Sequence, residues 1–177
     1  MPKRISEKTI FERGRFLLKD IHIKLDSGKI VTYQMWDKPD TAMIVPIDKN
    51  GECIFIREYH AALDCILVSL PKGRVEQGDM ALATANKELQ EEIGYKAGML
   101  THVTTFSAIP GYISGLTQVY LAQDLIKNKR EGDEQWELPM LRHPLSTFEE
   151  LIDTGVLTEA RMIAALYETR RFLEKTK

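Results

Sequence analysis

Glu88, Glu91 and Glu92 stand at positions i, i+3 and i+4 within N-K-E-L-Q-E-E-I-G-Y, a spacing that puts all three carboxylates on one face of an α-helix. Like charges so placed repel by about a few tenths of a kcal/mol per pair, and Lys87 is the one cation close enough in sequence to offset them. A divalent cation removes the repulsion. Carboxylate oxygens suit Mg²⁺ or Mn²⁺, and suit zinc poorly because no His or Cys accompanies them. Mg²⁺ is usually held by a few carboxylates together with substrate phosphates, so a phosphoanhydride is the substrate class to which the cluster points. There a cation neutralises and orients the diphosphate and lowers the pKa of an attacking water. For a bare E-x-x-E-E, a solvated acidic helix face is the alternative.

The elements around the acids are arranged to present them. Leu82, Ala85, Leu89 and Ile93 form an apolar stripe on the other side of the helix, suited to packing on a sheet. Gly94 falls where a left-handed residue ends a helix. Upstream, Leu70-Pro71-Lys72-Gly73 reads as a strand end that turns sharply, and Gly78 with Asp79 supplies a second turn and an N-cap. The unit is strand, loop, helix, with the loop curled over the carboxylates.

The segment Gly73–Tyr95 resembles the Nudix box: Gly, five residues, Glu, seven residues, then Arg-Glu-apolar-any-Glu-Glu-any-Gly-apolar. Gly73, Glu88, Leu89, Glu91, Glu92, Gly94 and Tyr95 fall on that pattern. Asp79 replaces its first Glu and Lys87 its Arg, a pair that in the family forms a salt bridge supporting the metal-binding acids. A lysine lacks the bidentate fork of arginine. The resemblance implies Glu88 and Glu92 as metal ligands, Glu91 as a further ligand or a base, and the backbone carbonyl of Lys72 completing a Mg²⁺ or Mn²⁺ site. Catalytic roles fall on the same acids, Glu88, Glu91 and Glu92.

Bulk properties set the boundaries. The 177 residues are 44% hydrophobic and 28% charged, as expected of one folded domain with a real core. A net charge of -2 gives no electrostatic case for nucleic acid or a membrane surface. The start M-P-K-R-I-S-E-K lacks the apolar run of a signal peptide, and no stretch approaches bilayer-spanning length. Cys53 and Cys65 lie in apolar runs without metal-site spacing, which predicts buried reduced thiols and a cytoplasmic protein.

Along the chain, F-L-L-K-D-I-H-I-K-L and K-I-V-T-Y-Q-M-W predict a hairpin, and residues 1–38 a small N-terminal antiparallel β-hairpin subdomain. A lone hairpin is marginal in water and needs a partner surface, either the main domain or a second copy of the chain. Residues 39–177 then carry short strands rich in β-branched residues, the box helix, two more strands, a charged loop at K-N-K-R-E-G-D-E-Q-W, and a last strand. Ser146 with Glu149 predicts a capping box, and a final helix from Thr158 carries Ala160, Ile163, Ala164, Tyr167 and Phe172 as its apolar stripe, widened by Met162 and Leu166. The order is α+β. The resemblance makes it an α/β/α sandwich, the Nudix fold around a mixed β-sheet.

Features outside the box bear on the substrate. Pro110, fifteen residues after Tyr95, resembles the mark of the ADP-ribose pyrophosphatase branch, although Pro110-Gly111 also reads as a plain turn. The run from the N-terminal strands to A-R-M-I-A-A-L is similar to that branch, most of all to its ADP compounds hydrolase subgroup. The resemblance implies a homodimer exchanging N-terminal strands, with aromatic side chains sandwiching adenine. Phe16 and Tyr33 are the candidates, with cross-strand packing as the alternative, and Arg57 is the candidate near the phosphates. The loop R-E-G-D-E resembles one that supplies a catalytic Glu, making Glu134 the base, then Asp133, with Glu91 as the alternative. The activity implied is Mg²⁺-dependent hydrolysis of ADP-ribose and related nucleotide diphosphates. The alternatives are dinucleoside polyphosphates, NADH or nucleotide sugars as substrates, or a catalytically silent nucleotide-binding domain.

Overall fold

The computed structural model describes residues 1–132 and 138–176. Glu134 and Asp133 lie outside the described residues. Two core sheets sit between helices. A mixed four-stranded sheet has the order β7 (Lys72–Arg74), β4 (Thr41–Pro46), β9 (Leu116–Lys127), β8 (Tyr95–Ser107), with β4 and β9 parallel. An antiparallel three-stranded sheet has β10 (Met140–Pro144), β5 (Glu52–His60) and β6 (Cys65–Ser69).

Side-chain alternation divides the core. Met43 and Val45 of β4 and Cys53 and Phe55 of β5 pack with Phe148, Leu157, Met162 and Leu166, on the side of α2 (Glu149–Asp153) and α3 (Ala160–Lys175). Their sequence neighbours Ala42, Ile44, Ile54 and Ile56 pack with Ala81, Ala85, Leu89 and Ile93 of and beside α1 (Ala81–Glu92). Burial on both faces explains why A-M-I-V-P reads as a continuous apolar run. This is the α/β/α arrangement that the family resemblance implies.

Several local expectations are corrected. The N-terminal hairpin is present as β2 (Phe16–Lys24) paired with β3 (Ile30–Trp36), but a further strand that the sequence does not disclose, β1 (Lys3–Arg13), pairs with β2 and makes it a three-stranded antiparallel sheet. Two register shifts in β1 break its alternation, which hides the strand in the sequence. Asp79 does not cap α1; Met80 occupies the cap position without a side-chain hydrogen bond, and Gly78 turns the chain at φ +93°. Leu82 is 45% exposed, and the buried stripe is Ala81, Ala85, Leu89 and Ile93. Ser146 and Glu149 form no capping box: a 3₁₀ turn (Leu145–Thr147) intervenes, and Glu149 pairs with Arg170 at 2.6 Å instead. On α3 the buried face is Met162, Ala165, Leu166 and Thr169, while Tyr167 stays largely exposed with its ring edge on Phe148. Cys53 is buried as expected, but Cys65, opening β6 at the hairpin end opposite His60, is only partly so. Gly94 ends α1 at φ +74° as expected.

The two leucines of α1 separate these readings. Leu89→Ala removes a fully buried side chain and should cost about 2–5 kcal/mol in chemical denaturation. Leu82→Ala should stay within about 0.5 kcal/mol of the parent.

Candidate active site

Strand β7 is three residues long, and its pairing fixes the site. Lys72, Gly73 and Arg74 lie opposite Met43, Ala42 and Thr41 of β4, so the Lys72–Gly73 backbone is held against α1. A Cβ on residue 73 would fall 2.1 Å from the carboxyl of Glu88, which makes glycine obligatory if Glu88 is to stay where it is. One turn on, Glu92 is 8% exposed, and its Oε2 accepts the Lys72 N–H at 3.0 Å. Burial raises its pKa to about 8; the ammonium and N–H of Lys72 pull the other way, and the charges of Glu88 and Glu58 add to the rise.

Glu91 goes elsewhere. Its carboxylate, also 8% exposed, lies 3.4 Å from Lys87 Nζ and 3.1 Å from Arg130 Nε. Its backbone oxygen accepts Lys129 Nζ at 2.5 Å, and Gly132 packs on its Cβ. The segment after β9 is thereby tied to the end of α1. Lys87 thus meets Glu91, one turn along the same helix.

Glu88 and Glu92 line a cleft of about 500 Å³, with Lys72, Gly73, Glu58, Phe16 and Trp36 among its other walls. Glu58 forms an ion pair with Lys72, accepts from Ser69 Oγ at 2.9 Å, and lies 3.4 Å from His60 Nε2. Burial alone would raise its pKa, but the Lys72 charge and these hydrogen bonds outweigh it and hold the carboxyl below its usual range. Alternation along β5 explains why Glu58 and not Arg57 enters: Ile54 and Ile56 face α1, and Glu58 continues that face. Arg57 is exposed and does not line the cleft; its N–H donates to Pro139 O.

The aromatic candidates also separate. Phe16 lines the cleft and stacks on Trp36, ring centroids 5.3 Å apart and planes 13° from parallel. In register, Leu18 faces Trp36 and Ile21 faces Tyr33, so Tyr33 projects from the opposite face of the sheet to Phe16. Trp36, missed in the sequence, is the ring that accompanies Phe16, and its buried Nε1 has no hydrogen-bond partner among the described residues. Pro110 is exposed in the turn between β8 and β9. That turn braces the connector behind Trp36: the Trp36 N–H donates to Tyr112 O at 2.7 Å, and Ile113 forms a parallel bridge with Trp36.

Among the described residues no three His, Cys, Asp or Glu side chains stand as a ready-made cation-binding group. The two cleft carboxylates nevertheless fit a hard divalent ion. Both are oxygen donors beside the Lys72–Gly73 backbone, and Glu92 is a buried carboxyl whose charged form lacks compensation from the protein alone.

That imbalance has a measurable sign. With the folded pKa of Glu92 near 8 and the ordinary carboxyl value at 4.5, the folded chain keeps a proton that the unfolded chain releases. Its stability falls as pH rises from about 4.5 through 8, by on the order of a few kcal/mol. In thermal melts with chelator at pH 8, Glu92→Gln should melt above the parent. Adding Mg²⁺ should raise the parent and leave the variant nearly unchanged.

With the geometry in place, comparisons with known proteins give a consistent result. Residues 37–166 match the model of the NUDIX domain. The chain is 30% identical over 175 residues to ADP compounds hydrolase NudE of Escherichia coli (strain K12), covering 98% of this chain and 94% of that protein. It is 28% identical over 171 residues to ADP-ribose pyrophosphatase of Bacillus subtilis (strain 168), covering 93% and 92%. A crystal structure of an ADP compounds hydrolase superposes with a TM-score of 0.89 at 30% identity, covering 99% of this chain and 95% of that one. The chain belongs to the Nudix family of pyrophosphatases.

Proposed function

We propose that the protein hydrolyses the diphosphate of ADP-ribose and related ADP-linked compounds. Water adds to a phosphorus, the bridging P–O bond breaks, and AMP leaves together with a phosphorylated remainder such as ribose 5-phosphate. The observation that carries this reading is the sharing of one cleft by the carboxylates Glu88 and Glu92 and the stacked rings of Phe16 and Trp36. A diphosphate and a nucleobase would then be held together. The two relatives similar over nearly the whole chain, an ADP compounds hydrolase and an ADP-ribose pyrophosphatase, support ADP-linked substrates.

In this reading Glu88 and Glu92, with the carbonyl of Lys72, hold Mg²⁺ or Mn²⁺. When bound, the ion screens the diphosphate and lowers the pKa of the attacking water. Glu58 fixes Lys72, and so the turn that carries Gly73. Phe16 and Trp36 offer ring faces to the base. The proton acceptor is Glu134, on the segment after Gly132, since Glu91 is engaged by Lys87 and Arg130. The reaction takes place in the cytoplasm.

Residues 1–38 serve in this reading as a dimerising subdomain of a homodimer, and residues 39–177 as the hydrolase domain. Every residue of β1 is exposed, and Ile5, Ile10, Phe11 and Tyr33 are each about half exposed or more, an apolar area that a second copy would cover.

Phosphate release, coupled through a phosphatase with Mg²⁺ present, should be fastest for ADP-ribose and other ADP-linked compounds among a panel including NADH, diadenosine polyphosphates, GDP-mannose and nucleoside triphosphates. Silence across the panel with either metal ion would leave a nucleotide-binding domain. Glu88→Gln and Gly73→Ala should each fold and lose about 10²–10³-fold in kcat. Light scattering should give a dimer for the parent and a monomer for Phe11→Lys; a monomeric parent ends the dimer reading.

A further inference from the structure

The cleft is also lined by cations, and among the described residues one of them, Lys38, forms no ion pair with a carboxylate. Lys38 leaves β3 two residues after Trp36. Its backbone is fixed: the N–H donates to Ser114 Oγ at 3.0 Å, and that hydroxyl donates to Asp37 at 2.8 Å. A Cβ on Gly115 would come within 2.6 Å of the Lys38 carbonyl and 2.5 Å of the Pro39 carbonyl, so the glycine lets the connector lie flat against the next strand.

The side chain lines the cleft, where Nζ donates to the hydroxyl of buried Thr41 at 3.2 Å. Arg161, in the first turn of α3, and Lys72 line the same space. Each of those two has a carboxylate of its own, Glu159 at 2.5 Å for Arg161 and Glu58 for Lys72. Burial, then the charge of Arg161, lower the pKa of Lys38, with Glu159 opposing and Lys72 adding to the drop. Gathering a half-buried ammonium beside two further cations costs free energy in the empty protein. An anion in the cleft removes that cost.

We propose that Lys38 and Arg161 form the subsite for the phosphate attached to the nucleoside. The position along the chain selects that phosphate: Lys38 shares its connector with Trp36, whose ring stacks on Phe16, so a nucleoside resting against these rings brings its own phosphate toward Lys38 first. The more distant phosphate falls to the Glu88 and Glu92 side. Lys38 and Arg161 are thus binding residues that set which end of the substrate lies at which wall. This rests on the diphosphate reading above.

AMP, adenosine and ribose 5-phosphate, titrated calorimetrically into the full chain with Mg²⁺, test it without requiring turnover. The parent should bind AMP more tightly than adenosine. Lys38→Gln and Arg161→Gln should each weaken AMP tenfold or more, leave adenosine within twofold, and keep the Mg²⁺-induced rise in melting temperature. Lys38→Arg should retain most of the AMP affinity. Glu159→Gln, which removes the same ion pair as Arg161→Gln but keeps the cation, should bind AMP at least as well as the parent, separating loss of the subsite from loss of structure. AMP affinity unchanged in both charge-removing variants, adenosine weakened equally with AMP, or no AMP binding by the parent overturns the subsite. A protein that fails to cleave ADP-ribose yet shows the expected AMP pattern keeps the subsite and loses the hydrolase reading; the converse pattern does the reverse.

Discussion

The contact on which the rest depends is the backbone of β7 against the carboxylates of α1. Glu92 is almost wholly withdrawn from water, and the group that replaces a solvent hydrogen bond is the Lys72 N–H. Glu88 fills the space that any side chain at position 73 would occupy. Strand β7, which carries the Lys72 N–H that holds Glu92 and the glycine that makes room for Glu88, is paired with β4, and β4 is buried on both faces by the two halves of the core. The position of the acids is therefore inherited from the packing of the whole sandwich. The cost is electrostatic: a buried carboxyl is left with its pKa near 8, a condition that suits a binding site for a cation better than a purely structural role.

The second constraint is the direction of each charge on a crowded helix end. Three glutamates at helical neighbour spacing look equivalent in sequence, yet two line the cleft and one is enclosed by Lys87 and Arg130. The expectation of one acidic face treats the helix as isolated. The segment after β9 breaks that symmetry, because Lys129, Arg130 and Gly132 all bear on the last turn of α1. Glu91 is held by cations from its own helix and from that segment. It fastens the chain on which Glu134 follows Gly132.

What was legible in the sequence follows from how local its cause is. The box helix and Gly94 were readable because spacing along one element determines them, while the two-sided core came from the family resemblance. The resemblance names Arg57 near the phosphates, but the strand's alternation, anchored by Ile54 and Ile56, turns Glu58 and not Arg57 toward the cleft. Phe16 and Tyr33 are both ring candidates in the sequence, and the register of β2 with β3, which the sequence does not give, puts them on opposite faces of one chain's sheet and brings Trp36 to Phe16. The capping box at Ser146 was lost to Arg170, a residue on another helix. Register and long-range ion pairs are set by tertiary structure, and no local pattern carries them.

The same distinction separates the general from the specific in this protein. Gly73, Glu88 and Glu92 come from one contiguous stretch, and its side chains in the cleft offer carboxylate oxygen and no aromatic ring. The other walls are assembled from distant parts of the chain: Phe16 and Trp36 from the N-terminal sheet, Lys38 from the connector, Arg161 from the last helix. Ser114, Gly115 and Ile113, on the far side of the sandwich in sequence, fix that connector through hydrogen bonds and close backbone approach. Pro110 belongs to the turn that opens this bracing segment. Its own side chain does not line the cleft, so what Pro110 contributes structurally is the turn from which Tyr112 and Ile113 brace Trp36.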